Sequence, residues 1–235
     1  MCNQVRLSIL AVGLLSLGSW AQPVVAAPSV TFGRDDSTTF MTSFPNSLAA
    51  FNAFTGALPS YGVETVESLA GFDPTLTFGV TGITATSQGV LAQSAPGFQI
   101  NNQALLEADA AGFPQASTVF TFNQLITAFG TYVIQVGDGA NNNPITFRLR
   151  NTVANTSVDV PVQVGPGWGT DNAFFFGVVD SNPFNEVSII ETADLSDGSL
   201  YDNIVAGNVP EPSSLVLMMI GGAFALCRGA RGRRG

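Results

Sequence analysis

The chain has 235 residues and a formal net charge of −9, with no His, no Lys and only two cysteines, Cys2 and Cys227. Between Pro28 and Asn208, Arg34, Arg148 and Arg150 face sixteen Asp and Glu, a formal charge of −13. That balance excludes nucleic acid as a partner, since displacing counterions from phosphates needs clustered Lys or Arg. It leaves divalent cations, neutral glycans and basic partners open.

The first element is a secretory leader over residues 1–26. Met1 to Arg6 carries one positive charge, residues 7–20 form an apolar core, and Ala21-Gln22-Pro23-Val24-Val25-Ala26-Ala27 supplies small residues for signal peptidase. Cleavage after Ala26 places Val24 at −3 and avoids Pro28 at +1; cleavage after Ala21 is the alternative. Cys2 leaves with the leader, so the exported chain has no disulfide to rely on and depends on its core, with or without bound ions.

Residues 27–207 read as one domain. Strands are expected at 30–32, 63–68, 75–80, 83–87, 117–122, 128–136, 145–150, 157–162, 173–179, 186–191 and 199–205, separated by Gly, Asn, Asp or Pro. Ile145, Phe147 and Leu149 alternate with Thr146, Arg148 and Arg150, the pattern of a half-buried strand with its arginines in water. An early helix, capped by Asn46 or Ser47, sets Leu48, Phe51 and Phe54 on one face and ends by Gly56. A second helical segment is expected over 103–110. Many short strands and little helix indicate an all-β, antiparallel two-sheet sandwich of jelly-roll type. Phe174, Phe175 and Phe176 must point to alternate faces of their strand, so at least one needs cover from another element.

Residues 208–235 have a different build. Val209-Pro210-Glu211-Pro212-Ser213-Ser214 is followed by an apolar run over 215–227 and by Arg228-Gly229-Ala230-Arg231-Gly232-Arg233-Arg234-Gly235. Pro210 and Pro212 hold Glu211 in an extended, donor-poor strand that a protease can read. The apolar run enters the bilayer, and the arginines stay cytoplasmic by the positive-inside rule. At 13 residues the run is short, roughly 20 Å as a helix against about 30 Å of hydrocarbon. This three-part tail resembles the PEP-CTERM sorting domain. The resemblance implies export in a Gram-negative bacterium that makes exopolysaccharide, transient inner-membrane anchoring, processing by signal peptidase and exosortase, and delivery to the cell surface or extracellular matrix.

The stretches Ile126-Thr127-Ala128-Phe129-Gly130-Thr131-Tyr132, Phe175-Phe176-Gly177-Val178-Val179 and Gly198-Ser199-Leu200-Tyr201-Asp202-Asn203-Ile204 resemble sandwich domains commonly found ahead of PEP-CTERM tails. The last strand is also similar to that of carbohydrate-binding jelly rolls. That likeness implies a structural calcium held by acids of the terminal strands: here Asp194, Asp197, Asp202 and Asn203, with Arg34-Asp35-Asp36 nearby if the first strand lies beside the last. Oxygen-rich clusters suit calcium, while turn chemistry at Asp197-Gly198 and hydrogen bonding of loop amides by Asp202 is the plainer account.

Catalysis has little to stand on. The lack of His and internal Cys removes Ser-His and Cys-His nucleophiles and His/Cys zinc sites, and the lack of Lys removes a phosphate-binding Gly-Lys-Ser/Thr loop. Carboxylate pairs such as Glu64 with Glu67, or Glu186 with Glu191, are the one glycosidase-like route left, and nothing sets them apart from solvated acids. Trp168, in Gly165-Pro166-Gly167-Trp168-Gly169, is the one candidate for stacking on a sugar, against a plug that folds back onto the domain. The expectation is therefore a non-enzyme: an exported surface protein with a structural or interaction role, with exopolysaccharide binding as the alternative.

Overall fold

In the computed structural model the described residues are 27–37, 44–93, 103–107, 117–134, 145–162, 171–191 and 199–209. They form twelve strands, one α-helix and a short 3-10 turn at Gly79–Thr81. The strands are β1 (Ser29–Ser37), β2 (Ser60–Glu64), β3 (Gly71–Phe72), β4 (Thr75–Thr77), β5 (Thr84–Gln88), β6 (Val90–Gln93), β7 (Ala104–Glu107), β8 (Ser117–Ile134), β9 (Ile145–Asn151), β10 (Thr156–Val162), β11 (Asp171–Glu191) and β12 (Leu200–Asn208), and the helix is α1 (Pro45–Ala57). All pairings among them are antiparallel.

Two long strands build the sandwich. β8 and β11 pair over two separate stretches, 128–134 with 173–179 and 117–121 with 186–190, with register shifts between Val179, Phe184 and Glu186. The first stretch belongs to one layer, β1–β11–β8–β12, with β2 and β7 on the far side of β12. The second belongs to the other, β10–β9–β11–β8–β5–β4. Irregularities of this kind bend a strand and increase its twist, which lets one strand serve both layers. Reading residues 117–122 and 128–136, or 173–179 and 186–191, as separate strands is corrected accordingly.

Opposite flanks of the sandwich differ. At one, the chain turns the corner from β3 to β4 and from β5 to β6, so the layers are joined. Asp73, in a left-handed conformation (φ 47°), fastens this corner by accepting the Gly89 and Val90 amides at 2.8 and 3.3 Å. At the other flank, among the described residues, β1 pairs only with β11 and β10 only with β9, so each layer ends there in an edge strand. The expectation that β1 lies beside β12 is corrected: β11 and β8 separate them.

Between the layers, Phe147 of β9 stacks on Phe176 of β11 at 3.8 Å, and Phe120, Phe122, Phe129 and Tyr201 pack around them. Phe174 and Phe176 point into this core, whereas Phe175 points to the opposite face. There α1 supplies the cover that the sequence demands, setting Phe51 and Phe54 against Phe175 beside Tyr132 of β8.

The helix docks by a local absence of side chains. Gly130 and Gly177 are register partners, and the Phe54 ring rests on both, 2.9 Å and 2.5 Å from where a Cβ on each would stand. Its N-terminus is capped from a distance: the buried Asp35 carboxylate of β1 accepts the Asn46 and Ser47 amides at 3.0 and 2.7 Å. Asn46 and Ser47 therefore lie inside the first turn and do not cap it. Leu48, expected on the buried face, is 50% exposed; Ser47, Ala50, Phe54 and Thr55 are the buried positions. The helix expected over 103–110 is also corrected. Its described part is β7, where Leu105 pairs with Tyr201 and with Ala92, so the neighbouring strands decide the conformation.

Candidate functional site

The open flank holds a cleft of about 410 Å³. Its lining comes from three places: Ala27 and Pro28 ahead of β1, the β9–β10 hairpin from Leu149 to Val158, and the β11 irregularity from Asp180 to Phe184. Leu149, Val158 and Phe184 give it an apolar floor, and Asn151, Thr156, Ser157, Asp180 and Asn182 a polar rim. A floor of this kind with a few oriented polar groups is the usual build of a small-molecule site.

The rim is held by short-range bonds. Asn151 Oδ1 accepts the Val153 and Ala154 amides at 3.1 and 2.8 Å, shaping the hairpin turn, while its Nδ2 donates to the Pro183 carbonyl at 2.9 Å. Thr152 donates its amide to Asn185 Oδ1 at 2.9 Å. These bonds tie the hairpin to the β11 irregularity. Asp180, 3% exposed, accepts from the Asn182 amide and side chain through Oδ1 at 2.9 and 3.1 Å. Its Oδ2 takes no hydrogen bond from any described group. None of these cleft residues is prominent in the sequence. The signal was Asp180-Ser181-Asn182-Pro183, a polar interruption between two apolar strand halves.

The acids singled out from the sequence are dispersed. Glu64, expected to be a solvated acid, is buried and accepts the Val66 and Thr77 amides, both at 3.0 Å, across β2 and β4. Glu67 accepts the Gln103 amide at 3.3 Å. Glu186 and Arg150 are paired at 3.4 Å on the outer face, next to the bidentate Arg148–Asp159 pair, with bonds of 2.7 and 2.9 Å. The hydrogen bond from Arg148 holds the Asp159 carboxyl below its ordinary range. Glu64, Glu67 and Glu186 thus each have a structural partner of their own.

Asp202 is fully buried on β12, with Oδ1 taking the Asn203 amide at 2.6 Å. Burial first, then Asp202 and Asp35, push the Tyr132 hydroxyl pKa well above its ordinary value. Among the described residues no three His, Cys, Asp or Glu side chains converge as metal ligands. Asp194, Asp197, Trp168, the leader over 1–26 and the motif Pro210, Glu211 and Pro212 lie outside the described residues. Among the described residues no helix is long and apolar enough to cross a membrane.

No curated protein sequence matches the chain. Among solved structures it is similar to a variant of the family 29 carbohydrate-binding module CBM29-2, at 14% identity over 63% of this chain and 94% of that one, with a TM-score of 0.37. It is also similar to the K2 cleaved adhesin domain of Lys-gingipain, at 14% identity over 63% and 99%, TM-score 0.40. A third is the CBM22-1 xylan-binding domain of Xyn10C from Paenibacillus barcinonensis, at 15% identity over 63% and 94%, TM-score 0.37. A family model described as the PEP-CTERM protein-sorting motif matches residues 208–234. The segment that takes over where β12 ends is therefore a PEP-CTERM sorting motif, the mark of an exported protein sorted at the cell envelope.

Proposed function

We propose that this protein is an exosortase-processed component of the surface or extracellular matrix of a Gram-negative bacterium, with a structural or interaction role and no catalytic one. The observation that carries the reading is the sorting motif at 208–234, placed directly after the last strand of a self-contained sandwich. The order is that of cargo followed by address. Deleting residues 210–235 should release the protein to periplasm or medium, and Glu211→Ala should leave an uncleaved inner-membrane form. If both variants fractionate and migrate like the wild type, the reading fails.

The cleft supports a second reading, binding of a neutral polysaccharide. An apolar floor suits the C–H face of a sugar, the Asn151, Thr156, Ser157 and Asn182 rim suits its hydroxyls, and the strongly acidic surface disfavours anionic chains. Co-sedimentation of the purified protein with the host's exopolysaccharide, compared between wild type and Ser157→Trp, separates the readings. Binding that the filled cleft abolishes supports the module, and no binding leaves the structural role.

A further inference from the structure

We propose that the cleft contains the seat of the protein's own mature N-terminus, in which the α-ammonium of Ala27 pairs with Asp180. The proposal rests on the export reading, with the leader removed after Ala26. Hydrolysis of that peptide bond consumes one water and leaves a carboxylate on Ala26 and an ammonium on Ala27.

Three observations converge on the new ammonium. Ala27 and Pro28 line the same cleft as Asp180. The β1–β11 ladder ends at Ser29 opposite Val179, one residue short of Pro28 on β1's side and of Asp180 on β11's. Asp180 is 97% inaccessible by its 3% exposure, yet only Oδ1 is engaged by described groups, both times by Asn182. Oδ2 is not among the buried atoms left without a partner, so it opens to the cleft, where an ammonium can reach it without displacing another bond. Among the described residues it is also the one charged side chain in the cleft lining; the side chains lining it from β9 and β10 are Leu149, Asn151, Thr156, Ser157 and Val158. The charges adjoining the cleft on those strands and on the second half of β11 are already paired, Arg148 with Asp159 and Arg150 with Glu186.

The consequence is that leader removal completes the fold. Before cleavage residue 27 offers Asp180 a neutral amide; afterwards it offers a cation that fastens the start of edge strand β1 to β11.

The chain has no Lys, so the mature protein carries one primary amine, and an amine-selective acylating reagent reports on it alone. The full chain is produced in an exporting host and purified from its envelope, and its N-terminus is sequenced. A start at Ala27 is required: retention of residues 1–26 removes the export reading, and any other start overturns this proposal alone. Acylation by an N-hydroxysuccinimide acetate is then followed against pH, native and in concentrated urea. An ordinary α-amine titrates near 7.7–8.0, and pairing that raises it by about one unit makes the native amine about tenfold slower than the urea control at pH 7. The sign follows: with the folded pKa raised, the stabilisation is complete below the unfolded value and lost as pH rises through the folded one. Asp180→Asn keeps the Oδ1 acceptor for Asn182 and removes only the charge, and it should restore the rate to within about twofold of the urea control. Equal native and urea rates overturn the proposal, and so does slow native acylation that Asp180→Asn leaves unchanged. Ala27 is exposed, so burial does not imitate the effect.

Discussion

Gly177→Ala isolates how the helix is held. A methyl there would stand 2.5 and 2.7 Å from Cδ2 and Cγ of Phe54 and 2.9 Å from Cε1 of Phe175. The ring cannot simply lift, because α1 is also pressed against β1, where a Cβ on Gly33 would lie 2.7 Å from that of Ala50. Overpacking of this kind costs about 1–3 kcal/mol. Against it stands the gain of about 0.5–1 kcal/mol that Ala brings over Gly in a strand. The net expectation is a destabilisation of about 1–2 kcal/mol. Phe54→Ala alone should cost about 3–5 kcal/mol. In that background the Phe54 ring is gone and the edge of Phe175, still 2.9 Å away, has the vacated space to move into, so Gly177→Ala should change sign and stabilise by roughly 0.5–1 kcal/mol. Urea unfolding of wild type, both single variants and the double variant, followed by circular dichroism, gives the coupling, expected at about 2 kcal/mol. Stabilisation by Gly177→Ala in the wild type, or additivity within about 0.5 kcal/mol, refutes the docking argument.

Asp35→Ala removes the remote cap and leaves the Asn46 and Ser47 amides without their carboxylate; a loss of about 1–2 kcal/mol is expected in the same unfolding assay, and a change below about 0.3 kcal/mol speaks against it. Tyr132, whose pKa is raised by burial and then by Asp202 and Asp35, contributes stability that is complete below its unfolded value near pH 10 and falls as pH rises above it. Tyr132→Phe should flatten the alkaline limb of a stability-versus-pH curve, and an unchanged limb denies the shift. Because Asp202 is buried and its Oδ1 is bonded to Asn203, calcium and magnesium at equal ionic strength should raise the melting temperature alike. A larger rise with calcium that Asp202→Ala abolishes restores the ion site.

Legibility in the sequence followed the range of the interaction. β9 and β10 were readable because side-chain alternation is local, and so was the need for a cover over Phe175. The continuity of β8 and β11 was not, since Asn123 and the 180–183 segment carry the same residue types whether the chain turns or merely bends. The helix cap was hidden because its carboxylate comes from Asp35, eleven residues before the Asn46 amide. β7 was misread because a four-residue strand takes its conformation from β6 and β12. The cleft draws on residues from Ala27 to Phe184, which lie far apart in the sequence and meet only where β1, the β9–β10 hairpin and the β11 irregularity come together in the fold.

The position of β12 sets how the domain bears tension. Its hydrogen bonds run to β8 on one side and to β2 and β7 on the other, and the chain leaves it at Val209, whose amide is held by Thr127 Oγ1 at 2.7 Å. A pull in line with this strand strains both ladders together in shear, whereas a pull on an edge strand opens its bonds one at a time. Drag on a cell-bound sandwich would thus enter through an interior strand, next to β8, one of the two strands that span both layers, and spread into each layer before any edge began to peel.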